Sequence, residues 1–138
     1  MAFVDIVDDV IDLAKNALAK DQKLHQKYGL ELGIRYGDPK TDEYLKEANG
    51  LRDNLADYLN NLSSDEIRKL ETVMYFGRDS EDDHGNDLPA YHAKLHPTDF
   101  DKSDIIRNII EKYSSLESYF REAYKKAARL SIDLEIII

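Results

Sequence analysis

The chain has 138 residues, 42% hydrophobic and 34% charged, with no cysteine and a formal net charge of −9. That length and apolar content suit a single helical domain over 1–138 with one core, and they exclude an extended disordered chain. Without cysteine there are no disulfides, thiol nucleophiles or thiolate zinc sites, which fits a reducing compartment, and the negative charge disfavours nucleic acid as a partner.

The opening "MAFVDIVDDV" lacks a basic n-region and carries acids inside its apolar run. It predicts neither a secretion signal nor a membrane span, so the expected location is cytoplasmic. Phe3, Val7, Val10, Ala14, Ala17 and Leu24 recur at helical spacing, predicting a helix over 3–27 that is central to the core. Asp5, Asp8, Asp9 and Asp12 lie on its other face, with Lys15, Lys20, Lys23 and Lys27 after them. Acids early and bases late complement the helix dipole.

"LELGIRY", 30–36, alternates strictly, and so does the tail "LSIDLEIII". Both follow a strand pattern. A lone strand leaves its backbone groups unmet, so a minor two-stranded pairing of 30–36 with 130–137 is expected. Extension of the last helix, and pairing with a second copy, are the alternatives for the tail. Between these segments, "GDPKT" turns the chain. Thr41 is expected to cap a helix over 42–60 with Leu45, Ala48, Leu51, Leu55 and Leu59 on one face. Gly50 weakens it and predicts a kink or a close crossing.

"LSSDEI" holds the clearest local signal. Ser63 and Glu66 have capping-box spacing, and Leu62 and Ile67 the spacing of a hydrophobic staple. The helix so opened runs through Leu70, Val73 and Met74, with Gly77 at the C′ stop position. Residues 78–88 predict an exposed loop. Pro89 opens a short helix capped by Asp87 or Leu88, ending before Pro97. Ser103 is expected to cap a long stripe from Ile105 to Leu130, interrupted or not at Ser114 and Ser115. The expected fold is therefore mainly α, a compact bundle of four to five helices beside the minor β pairing.

The stretch "ADYLNNLSSDEIRKLETVMYFGRD", 56–79, resembles the bacterial domain of unknown function 3775. The matching features are a leucine-rich helix end, "LSSDE", a helix of the form L-x-x-V-M-aromatic, and "GRD". The family usually has a second glycine before the aspartate, which Gly77-Arg78-Asp79 lacks. The resemblance implies a bacterial, mostly helical protein and brings no activity, cofactor or catalytic residue with it.

The charge is uneven. Residues 79–104 hold eight acids against Lys94 and Lys102, a net −6, while 105–138 are net +1 and 1–78 net −4. Two thirds of the net charge thus lies in about a fifth of the chain. Complementary charge speeds encounter, so a basic protein is the expected partner. Asp79, Glu81, Asp82, Asp83, Asp87 and Asp99 are the candidate docking acids, with Tyr91 and Phe100 as aromatic anchors. This is the pattern of an immunity protein or antitoxin occluding a toxin.

The alternative is a metal-binding enzyme or regulator. His92 and His96 are spaced i, i+4, with His84, Asp82, Asp83 or Asp99 as further ligands. The short helix between two prolines, and the missing glutamate of a His-Glu-x-x-His motif, weigh against it. A calcium loop from Asp79 fails, because His84 stands where glycine is required and Ala90 where a bidentate glutamate should be. No nucleophile elbow and no phosphate-cradling glycine loop occurs, so no catalytic residue and no cofactor is expected. The basic stretch 121–130 reads as a solvated helix face. Self-association through the Ile-rich tail is the third reading.

Overall fold

The computed structural model describes residues 2–30, 37–48, 50–78, 88–95 and 101–135, except for the side chains of Tyr91, Lys94 and Leu95. The described residues form α1 (Phe3–Lys27), α2 (Pro39–Ala48), α3 (Asp53–Asn60), α4 (Ser64–Arg78), α5 (Leu88–Leu95), α6 (Lys102–Glu111) and α7 (Leu116–Leu130). No strand occurs among them. The mainly α expectation holds. The helices are more numerous and shorter than the four to five expected, because two predicted long helices break.

The first break is at Gly50. The predicted helix 42–60 is two helices, α2 and α3, joined by turns around Gly50 and Arg52. Thr41 is not the cap. Pro39 is the first helical residue, and the Asp38 carboxylate accepts from the Lys40 N–H at 2.9 Å. The second break falls at 112–115, where α6 ends in successive turns before α7. The Ser115 side chain, at the N-cap of α7, makes no cap hydrogen bond there. At the start of α6 the cap is Asp101 rather than Ser103, its side chain accepting from the Ser103 N–H at 2.9 Å.

The Ser63–Glu66 capping box forms as expected. Glu66 Oε1 accepts from the Ser63 N–H at 2.8 Å, and Ser63 Oγ from the Glu66 N–H at 3.2 Å. Downstream, Ile67, Leu70, Val73, Met74 and Phe76 are buried in α4. Gly77 is not a helix stop, since α4 continues to Arg78. A Cβ there would overlap the Tyr119 carbonyl oxygen outright, 2.8 Å from its carbon and 2.9 Å from the Ala123 nitrogen. Gly77 is therefore where α4 lies directly on the backbone of α7, the most extensively packed helix pair in the fold. Around it one core joins the inner faces of α1, α3, α4, α6 and α7 with Leu88 of α5.

The β pairing of 30–36 with 130–137 is corrected on its C-terminal side, and residues 31–36 and 136–138 lie outside the described residues. Leu130 ends α7, and Ser131 turns left-handed at φ 58°. Ile132 N–H then reaches back to the Ala127 carbonyl at 2.8 Å, and Ser131 N–H to that of Ala128 at 3.4 Å. That bond pattern is a Schellman motif. Leu30 occupies the same place after α1: Gly29 has φ +68°, and Leu30 N–H donates to the His25 carbonyl at 2.7 Å. The alternation that suggests strands begins, in both segments, with the apolar residue of a helix cap folding onto the core. Leu30 and Leu134 are buried, and Ile132 packs against the core.

The tail also closes the other end of the molecule. Ala2 precedes α1 without a side-chain oxygen to offer. Glu135 supplies both oxygens instead, accepting from Phe3 N–H and Val4 N–H at 2.9 Å each. Its carboxylate faces the positive end of the α1 dipole. Asp133 holds Glu135 in place by accepting its N–H at 2.9 Å. Glu135→Ala removes a cap worth about 1 kcal/mol. Its urea midpoint should fall accordingly with an unchanged m value; an unchanged midpoint would refute the capping role.

Candidate functional site

The acidic segment is framed by three described elements. It leaves α4 at Arg78, passes through α5 and enters α6 at Asp101. Asp79, Glu81, Asp82, Asp83, Asp87, Asp99 and Phe100 lie outside the described residues, and Tyr91 is placed on α5 only by its backbone. What is described is the anchorage. Leu88 at the start of α5 is buried in the core, and His92 one turn later is buried against α4. The expected short helix between Pro89 and Pro97 is thus present, opening at Leu88.

His92 has a structural explanation. Its Nδ1 lies 2.5 Å from Thr72 Oγ1, and that hydroxyl donates its one hydrogen to the Arg68 carbonyl at 2.9 Å. The imidazole therefore donates from Nδ1–H, which fixes the tautomer and ties α5 to α4. His84 and His96 lie outside the described residues. Among the described residues no group of three or more His, Asp or Glu is placed to hold a metal ion.

Three acids of α1 accept hydrogen bonds from tyrosine hydroxyls of other elements, which the sequence does not announce. Asp8 accepts from the Tyr124 hydroxyl of α7 at 2.7 Å, and Asp9 from the Tyr58 hydroxyl of α3 at 2.8 Å. Asp21, buried at 9% exposure, accepts from Tyr44 of α2 and, at 3.1 Å, from Tyr113 of the α6–α7 turn. His25 Nε2 sits 2.9 Å from the Tyr44 hydroxyl and 3.7 Å from Asp21. Arg52 stacks 4.8 Å over the Tyr113 ring. This arrangement clasps α1 to four neighbouring segments. It presents no nucleophile beside a base in an open cleft, the geometry that covalent catalysis needs.

One concave surface is lined by opposite charge. Where α4 crosses α7, a cleft of about 520 Å³ opens beside Gly77 and Tyr119. Among the described residues, Arg78, Lys125, Lys126, Arg129 and the carboxylate of Glu122 line it. Sequence reading treats Arg78 and the 121–130 stretch separately, and only the crossing brings them together.

No protein-family model, curated protein or solved structure matches this chain. The resemblance of residues 56–79 rests on the quoted residues, and these have packing roles. Ser63 and Glu66 cap α4, Val73 and Met74 fill the core, and Gly77 admits α7. No described helix is long and apolar enough to cross a membrane.

The clasp has a pH signature. Tyr44, Tyr58, Tyr113 and Tyr124 all have pKa values raised above the ordinary tyrosine value, first by burial and then by the carboxylate each hydroxyl faces. A raised folded-state pKa favours the protonated form in the fold. The resulting stability is fully present below the unfolded tyrosine pKa of about 10 and is lost as pH rises beyond it. Spectrophotometric titration of the nine tyrosines should show the exposed ones ionising first and these four only with alkaline unfolding. Simple titration of all nine while the helical signal persists would contradict the clasp.

Proposed function

We propose that this chain is a non-catalytic, acidic binding module of a bacterial cytoplasm that occludes a basic protein partner, as an immunity protein or antitoxin does. The observation that carries this reading is the net −6 of residues 79–104 within a chain of net −9. Asp79, Glu81, Asp82, Asp83, Asp87 and Asp99 would meet the partner's cations, with Tyr91 and Phe100 as anchors. The structure adds an argument by subtraction. Asp8, Asp9 and Asp21 are committed to tyrosine hydroxyls, and Asp101 to the cap of α6. These acids serve the fold and are poor candidates for a docking face.

The anchorage supports the same reading. Leu88 and His92 fix α5 to α4, so the segment is tied to the core between its two acidic stretches. Tying a loop lowers the ordering cost of binding. Affinity capture from the host at low salt should recover a protein of high isoelectric point. A chain carrying Asp79→Asn, Glu81→Gln, Asp82→Asn, Asp83→Asn and Asp87→Asn should lose it. Recovery of no basic protein, or equal recovery by the neutralised chain, would refute the proposal.

A further inference from the structure

We infer that Asp21, His25, Tyr44 and Tyr113 form a binding site for a hard trivalent metal ion of the ferric class. The inference does not rest on the partner reading, which places function on the acidic segment. It rests on convergence. Asp21 and His25 lie one turn apart on α1, Tyr44 comes from α2 and Tyr113 from the α6–α7 turn. Their polar atoms meet around one buried carboxylate. Asp21 Oδ1 accepts from Tyr44, and Asp21 Oδ2 accepts from Tyr113 at 3.1 Å. His25 Nε2 stands 2.9 Å from the Tyr44 oxygen and 3.7 Å from Asp21 Oδ2. The pairs Asp8–Tyr124, Asp9–Tyr58 and Glu47–Tyr28 each join one phenol to one acid. At Asp21 two phenols and an imidazole converge.

The spacing and the chemistry both suit such an ion. Ligands about 2.0–2.1 Å from a metal stand about 2.9 Å apart across a right angle. The separations of 2.9 and 3.1 Å match that edge, and 3.7 Å spans a wider angle of the same sphere. The set holds no sulfur, which softer ions favour, and joins oxygens to an imidazole, which suits iron. One carboxylate and two phenolates carry −3, so a trivalent ion leaves the cluster neutral. Neutrality removes the large cost of burying an uncompensated charge. The His25 side chain is 29% exposed, which gives the ion an entry path.

The hydrogen-bonded clasp is the ion-free form of this site. Burial first, and then Asp21, raise the pKa values of Tyr44 and Tyr113, so both phenols keep their protons until the ion arrives. Arg52, 4.8 Å over the Tyr113 ring, acts in the opposite direction and favours the phenolate. Ion binding breaks the two phenolic O–H bonds, forms two metal–oxygen bonds and releases two protons to solvent. Tyr44 gives its hydrogen to Asp21 in the ion-free form, so His25 donates from Nε2. On loading, that hydrogen passes to Nδ1 and Nε2 becomes the ligand.

Titration of the full chain with ferric nitrilotriacetate, followed by visible absorption, tests the site. A phenolate-to-iron charge-transfer band should grow to one iron per chain, and loading should raise the thermal midpoint, as any ligand of the folded state does. Tyr44→Phe and Tyr113→Phe keep their rings and should each weaken binding by more than about 100-fold, beyond the effect of an outer-shell change. His25→Gln, at the exposed edge, should weaken it too and carries the test where a phenylalanine variant loses its helical signal. Tyr28→Phe and Tyr58→Phe should leave the band unchanged. No band, iron bound without one, or a band that persists in the folded ligand variants would overturn the inference.

Discussion

Everything in this fold hangs on one close approach. At Gly77 the backbone of α4 rests on the backbone of α7 at Tyr119 and Ala123, with no side chain between. Interaxial distance between helices is set by the side chains at the contact, so a glycine against a carbonyl brings the two helices as near as helices pack. That nearness lets Leu70, Val73, Met74 and Phe76 of α4 share one core with Leu116, Phe120, Ala123 and Ala127 of α7. The remaining helices attach to this pair. Thr72 receives His92 of α5, and Asn108 of α6 bridges Glu71 and Tyr75 of α4 at 2.8 and 2.5 Å. α1 lies on α7, with Tyr124 reaching Asp8 across their exposed edge.

The same crossing sorts the charges. α1 contributes three of its acids, Asp8, Asp9 and Asp21, to tyrosine hydroxyls, so part of the chain's negative charge is spent on internal hydrogen bonds. The cations of α4 and α7 gather in the cleft beside Gly77. The acidic segment begins immediately after Arg78, so the chain passes from a cation-lined concavity into its most negative stretch within a few residues.

Legibility in the sequence followed the range of the interaction. The Ser63–Glu66 box, the long α1 and the short helix after Pro89 depend on neighbours within a turn or two, and the residue pattern carries them. Gly77 shows the limit, because a glycine after an apolar run has the same one-dimensional signature whether it ends a helix or admits another. The alternating C-terminal segment misleads for a related reason. A Schellman cap followed by residues folding onto the core alternates apolar and polar side chains as a strand does. The tyrosine–carboxylate pairs join residues 49 and 116 positions apart for Asp9–Tyr58 and Asp8–Tyr124, and no local pattern encodes them. The basic cleft was hidden because its cations come from two helices that only the crossing unites.

The crossing is tested most directly by comparing Gly77→Ala with Gly50→Ala in urea unfolding. At Gly50 an added Cβ would meet, among the described residues, only the end of the Asp53 side chain, at 3.4 Å, and alanine should be neutral or stabilising. At Gly77 alanine gains about 1 kcal/mol in helix propensity, yet its Cβ strikes a carbonyl that no rotamer change can move. Overpacking typically costs about 1–3 kcal/mol, with backbone clashes at the upper end. The account predicts that Gly77→Ala lowers stability by roughly 2 kcal/mol while Gly50→Ala does not. A Gly77→Ala chain as stable as the parent, or more so, would contradict it.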